Sequence, residues 1–281
     1  MFPKAFSQQY FQQKVNYSID VTLNDKRHEL SAFEKVEYFN NSQDTLRFLY
    51  FHLWPNAYSN NTTDLAKQLF TKKGKQRLFN DPQLRGSIDS LNFKVDNKEV
   101  VWYLLPNQPD ICKITLNKPL YPGQSILIST PFHVNIPKGV TSRLGHIGES
   151  YQISQWYPKP AVYDKTGWHQ MPYLDQGEFY SEFGSFDVRI TLPENYTVGA
   201  SGDLQTKLEV ERLNKLAADT SWIRNSKKGT ISFPISSSQT MQSRACYCLC
   251  SVAFWFVRRR WESSRYPFLN YLSNWCRQQV C

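Results

Sequence analysis

From Val15 to Leu23 the side chains alternate, with Tyr17, Ile19, Val21 and Leu23 on one side and polar residues on the other. A period of two suits a strand with one buried face, because successive Cβ atoms point to opposite sides of the pleat. Asn24, Asp25 and Lys26 supply turn chemistry before a second strand carrying Leu30, Phe33, Val36 and Tyr38, so the two runs predict a hairpin. Thr45 to Trp54 is largely apolar and reads as a strand buried on both faces. Thr62 to Phe70 has helical spacing, with Leu65, Leu69 and Phe70 on one side and Asp64 near the start. Strand patterns return at Ile88–Val95, Val100–Leu105, Cys112–Leu116 and Ser125–Val134, punctuated by turns at Asp96-Asn97, Pro106-Asn107 and Pro122-Gly123. Ser185 to Leu192 alternates again and is expected to pair with Tyr196–Ala200 through Pro193-Glu194-Asn195. The prediction is an all-β fold, an antiparallel β-sandwich or saddle-like open sheet with one or two short helices.

Composition supports a packed domain and divides the chain. Its 281 residues are 41% hydrophobic, 20% charged and 15% aromatic, which excludes disorder along the whole length. The net charge of +9 is concentrated at one end, since residues 241–281 hold six arginines and one acid, Glu262. The body, with no long basic block, is not built to bind a polyanion, and a nucleic-acid partner is not expected. Cys112 is alone in the first 240 residues, whereas Cys246, Cys248, Cys250, Cys276 and Cys281 crowd the rest. The body has 19 Lys and 8 Arg; residues 241–281 have no Lys and three of the eight Trp. Such a switch within one domain has no packing reason, so this tail is read as out-of-frame translation. Its Cys-Tyr-Cys-Leu-Cys run lacks zinc-knuckle spacing. Its apolar run, Cys246–Val257, falls short of the roughly 20 residues a membrane span needs. Arg258–Arg260 reads as solvated surface.

The segment Tyr151–Val188 packs aromatics, prolines, glycines and carboxylates too irregularly for a simple amphipathic element, and reads as a shaped loop region. Within it, Ser154, Gln155, Trp156, Tyr157, Pro158 and Ala161 are followed from Gly184 by GSFDVRITLPENYTVGASG. Together these resemble the segment that closes the N-terminal domain of M1-family zinc aminopeptidases, where a Gln-x-Glu/Gln motif precedes a TFDVxIxxPxxYxVxSxG strand. Tyr157 stands where the family has Glu or Gln, and Val162 where it often has Arg. The wording of the whole segment is similar to a bacterial branch of the family. The resemblance runs from about Tyr10 to about Thr240 and implies a saddle-shaped β domain forming one wall of a peptide cleft. It implies substrate-binding roles for Gln155 and Tyr157, with Tyr157 at the position that meets the substrate's free amine. It also implies zinc in full-length relatives, a catalytic domain of the same protein as partner, and export. Ala5-Phe6-Ser7 looks like the end of a secretory cleavage site without its apolar core, so residues 1–9 are read as a signal-peptide remnant. Residues 10–205 are read as the M1-type β domain and 206–240 as its end or partial strands.

The chemistry of a zinc peptidase is not found in this chain. His28-Glu29 is followed four positions after His28 by Ala32, so no pair of imidazoles shares a helix face. His52, His133, His146 and His169 are remote from one another in sequence. Asp175, Glu178, Glu182 and Asp187 could form an acid/base pair, but turn or strand-end roles are commoner for such acids. No catalytic residue, metal ligand or cofactor is expected in the chain itself, and no turnover from it alone. The alternative is a carbohydrate- or protein-binding β-sandwich, suggested by Trp156, Tyr157, Trp168 and Tyr173.

Overall fold

The computed structural model describes residues 10–72, 78–140, 143–177, 179–218, 238–246 and 254–258. The first hairpin forms as its alternation requires, with β1 (Lys14–Asn24) and β2 (Glu29–Phe39) antiparallel along their full length. Asn24 Oδ1 accepts the Lys26 and Arg27 amides in the turn, and His28 closes it at φ 57°. On β2 the inward series is Leu30, Glu34, Val36 and Tyr38; Phe33, expected inside, is exposed, because the strict period puts Glu34 on the core face instead.

β3 (Leu46–His52) buries Leu46, Leu49, Phe51 and His52, while Phe48 and Tyr50 are only half-buried. The expectation of burial on both faces therefore fails on one side, where Phe48 and Tyr50 are covered by Trp168 and the Lys113 ammonium rather than by a second layer. A 3-10 turn, Trp54–Tyr58, follows with all five residues buried. Helix α1 (Asp64–Phe70) starts at Thr63, whose Oγ1 accepts the Ala66 amide at 3.2 Å and donates to Ala57 O at 2.7 Å.

The predicted strand Ile88–Val95 is two pieces, β4 (Ser87–Asp89) and β5 (Lys94–Val95), broken at Ser90 with φ 58°. Short β6 (Lys98–Glu99) and β7 (Trp102–Leu105) lead into the long strands β8 (Gln108–Leu120) and β9 (Ser125–Asn135). Then come β10 (Gly139–Val140), β11 (Leu144–Ile147), β12 (Ser150–Ile153), β13 (Lys159–Pro160), β14 (Val162–Asp164) and β15 (Gly167–His169). They are followed by β16 (Ser185–Pro193), β17 (Tyr196–Ala200) and β18 (Asp203–Leu204). Residues 206–240, read as the end of the domain or partial strands, begin with a helix, α2 (Lys207–Ala218); Lys, Leu, Glu, Arg and Ala are strong helix formers, and Glu209 pairs with Arg212 one turn on. The described residues end with β19 (Ser238–Cys246) and β20 (Phe254–Arg258).

The large sheet has the order β18-β19-β16-β1-β2-β9-β5-β6, with β4 also on β9; a four-stranded sheet is β13-β3-β8-β7, and a third is β10-β11-β12-β20-β17. β14 and β15 form a separate hairpin. Sheets are antiparallel except for β1 and β16, which run parallel from Tyr17↔Phe186 to Thr22↔Thr191. The expected β16–β17 hairpin does not form. Both edges of β16 are taken, by β1 and β19, so the Pro193-Glu194-Asn195 turn carries the chain to another sheet, where β17 pairs β20. One hydrophobic core joins residues of the large sheet, the four-stranded sheet, the third sheet and α1, with Phe51 on Phe93 at 5.2 Å and Phe132 on Trp156 at 5.7 Å. The strands β19 and β20 fall in or beside the compositional tail; Cys248, Cys250, Arg259 and Arg260 lie outside the described residues, as do residues 1–9. Among the described residues no helix is long and apolar enough to cross a membrane.

Candidate functional site

The irregular segment after β12 is held from several sides. Ser154 is fixed to Arg143 by its amide at 3.1 Å and by its hydroxyl at 2.8 Å. The next residue, Gln155, takes φ 58°, a left-handed conformation unusual for a non-glycine residue and maintained only where the surroundings impose it. That bend turns Trp156 and Tyr157 inward. Trp156 is fully buried, and Tyr157, 3% exposed, meets Tyr17 edge-on at 5.4 Å and Phe186 at 6.0 Å. Tyr17 and Phe186 are themselves stacked at 4.5 Å across the parallel β1–β16 pair. Gln155 is half-buried, and its side chain is the polar part of the motif.

Lys159 is a buried cation that the sequence reading did not single out. It lies in β13 beside His52, 2% exposed, with Nζ donating to Gln155 Oε1 at 2.7 Å and Ser181 Oγ at 2.8 Å, and 3.7 Å above the Trp54 ring. A buried ammonium needs such partners, since unpaired charge in the interior is costly. His52 stacks on the same indole at 4.5 Å, and its Nε2 accepts the Met171 amide at 3.3 Å. Burial and then the Lys159 charge push its pKa well down, so it is neutral. Behind it, Asp110 accepts the Tyr173 amide at 2.6 Å, and burial raises its carboxyl to about 6. Trp54, Tyr58, Tyr173 and Phe179 form one ring cluster beneath the segment. Its outer end is tied to α1 by the reciprocal Gln68–Gln176 bonds, both 2.8 Å, and the Lys72–Asp175 ion pair.

The histidines separate into different roles. His28 and His146, distant in sequence, stack at 3.7 Å, with Tyr151 Oη 2.7 Å from His28 Nδ1 and Gly148 O 2.9 Å from His146 Nδ1. Burial and then His146 lower the His28 pKa. His133 lies between Asp89 and Glu29, and His169 on Asp164. Among the described residues no group of three or more His, Cys, Asp or Glu is placed to hold a metal ion, so they offer zinc no fitting ligand set.

Nor do the three described members of the proposed acid set come together. Asp175 pairs with Lys72, Asp187 sits on β16 beside Ser18, Glu178 lies outside the described residues, and Glu182 lies near Asp164 instead. Of the rings offered for a binding platform, Trp156, Tyr157 and Tyr173 are buried and Trp168 is half-covered by Phe48, Tyr50 and Tyr163. They serve packing, which removes the main ground for that alternative. A buried Glu34, 1% exposed and with no partner on either carboxylate oxygen, was also not singled out by the sequence reading; burial drives its pKa well up, so it is held protonated. Only the phase of the β2 alternation could have found it.

No protein-family model matches the chain, and no curated protein does. Among solved structures, it is similar to a two-domain M1 zinc metallopeptidase mutant bound to L-tryptophan, with 11% identity over 87% of this chain and 42% of that one at a TM-score of 0.43. Similar too are an M1 zinc metallopeptidase from Deinococcus radiodurans (12%, 91% and 44%, 0.44) and its mutant bound to a Tyr-Ser-Ala substrate (12%, 91% and 50%, 0.45). The chain thus spans half or less of the length of these structures.

Proposed function

We propose that this chain is the β domain that walls the substrate cleft of an M1-type zinc aminopeptidase, with the metal and general base supplied by a further domain of the same protein. What supports the reading is the pair of sequence stretches, Ser154–Ala161 and Gly184–Gly202, that resemble that family's cleft-closing segment. The observation that carries it is their junction: Tyr157 of the first packs on Phe186 of the second, 6.0 Å apart, above Tyr17. A segment locked from below keeps one outer shape, as a cleft wall must.

In this reading the roles of the two motif residues differ. Tyr157 positions the segment from inside. Gln155 is the group that meets the peptide: its Oε1 is engaged by Lys159, and its amide N–H groups are the donors it would offer to a substrate carbonyl. The substrate is a peptide with a free N-terminus, and the protein acts after export. The test is the full chain joined to an M1 catalytic domain and assayed with alanine p-nitroanilide and Ala-Ala-Ala. Gln155→Ala should raise KM for the tripeptide about tenfold with little change in kcat, the loss of one binding hydrogen bond. Unchanged KM in a folded Gln155→Ala protein would overturn the assignment.

A further inference from the structure

A cavity of about 70 Å³ opens between the N-terminal segment and the β14–β15 hairpin. Its walls include the rings of Phe11, Tyr163 and Tyr180, and its polar groups include Asp164, Glu182 and Gln12. Room of that size holds a few waters or part of a small polar ring.

The two acids offer opposite hydrogen-bonding chemistry. Asp164 Oδ1 accepts from Thr166 N at 2.8 Å, Thr166 Oγ1 at 2.7 Å and His169 Nε2 at 2.8 Å. Burial opposes its ionisation, but these donors outweigh it and hold the carboxyl well below the usual range. Its Oδ2 accepts Tyr180 Oη at a long 3.3 Å and retains acceptor capacity. Glu182 accepts the Tyr163 amide at 3.2 Å through Oε1 and is also bonded by the Gln12 side chain, and burial outweighs both and raises its carboxyl to about 8. At neutral pH it therefore carries a proton and is a donor. An ionised acceptor and a neutral donor line the same space, beside aromatic faces.

Charge narrows the ligand class. A cation would face Lys165, which also lines the cavity, and would gain no charge from the protonated Glu182. An anion would face the Asp164 carboxylate. A hydroxyl pair suits both acids, since one hydroxyl can donate while its neighbour accepts. We propose that this cavity binds the vicinal hydroxyls of a neutral saccharide, one donating to Asp164 Oδ2 and the next accepting from Glu182, with the sugar ring against Tyr163 and Tyr180. These are not the buried rings of Trp156, Tyr157 and Tyr173, and the site does not depend on the peptidase reading.

The test titrates the full chain, followed by NMR, with methyl glucoside, methyl galactoside, methyl mannoside and tetramethylammonium, at pH 7 where Glu182 is protonated. At least one glycoside should bind in the millimolar range, and Asp164→Asn and Tyr180→Ala should each weaken it about tenfold, one lost polar or ring contact. Thermal melting confirms that the variants fold; should Asp164→Asn not fold, Tyr180→Ala, at a residue 39% exposed, decides alone. Failure of all three glycosides to bind, equal binding by Tyr180→Ala, or preference for tetramethylammonium overturns the proposal.

Discussion

Replacing Glu182 with glutamine should stabilise the protein above neutral pH and leave it nearly unchanged in acid. The carboxyl rises from an ordinary 4.5 to about 8 because burial penalises its charge, a cost only partly offset by the Tyr163 amide and Gln12. Below the lower value both folded and unfolded forms carry the proton, so nothing is lost. Between the two the folded form keeps a proton that the unfolded form has released, and stability falls by about 1.4 kcal/mol per pH unit until the loss is complete above the upper value. Over the whole interval that is roughly 4–5 kcal/mol, a ceiling because Glu182 lines an open cavity. Neutral His52 and His28, with pKa values lowered mainly by burial, weaken the fold on acidification, so the clean window runs from about pH 6.5 to about pH 8.5. There Glu182 accounts for roughly 2 kcal/mol, or about 4–8 °C in Tm. Glu34, also held protonated, tilts both proteins alike, so the difference between them isolates Glu182. Glutamine keeps the carbonyl acceptor for the Tyr163 amide and removes the charge. Urea unfolding at pH steps across the window should show the advantage of E182Q growing with pH. Parallel curves for the two proteins would refute the reasoning.

Three further substitutions test the bracing of the segment. Gly184→Ala should prevent folding or cost more than about 3 kcal/mol in urea unfolding, because a Cβ there would overlap the Val15 carbonyl at the start of the β1–β16 pair. Tyr157→Ala should cost about 3–5 kcal/mol as a core truncation; a stable variant with impaired substrate binding alone would return Tyr157 to the cleft surface. Lys159→Met should cost about 2 kcal/mol by thermal melting, since Gln155 Oε1 and Ser181 Oγ lose a charged donor, and an unchanged Tm would contradict the Lys159 bridge.

The parts of the fold visible in sequence are those in which local pattern and tertiary role coincide. The β1–β2 hairpin has alternation, turn residues and pairing in one local unit, and α1 has its cap and its apolar face within nine residues. The β16–β17 turn shows the limit. Its residues are ordinary hairpin residues, but pairing is decided by which edges of β16 are open, and those depend on β1 and β19. The site divides the same way. Gln155 and Tyr157 could be singled out by motif, but the inward turn of Tyr157 follows from the Gln155 backbone and the Tyr17–Phe186 stack. Nothing in the sequence marks Lys159; the juxtaposition of β13 with β3 places it over Trp54. The Asp164–Glu182 cavity joins residues eighteen positions apart through a hairpin that carries little periodic signal.

The most direct test of the central claim is zinc content and alanine p-nitroanilide hydrolysis of the dialysed full chain, alone and after joining to an M1 catalytic domain. The account predicts no stoichiometric zinc and no turnover for the chain alone, with hydrolysis and a Gln155-dependent KM in the joined protein. Stoichiometric zinc and turnover by the chain alone would contradict it.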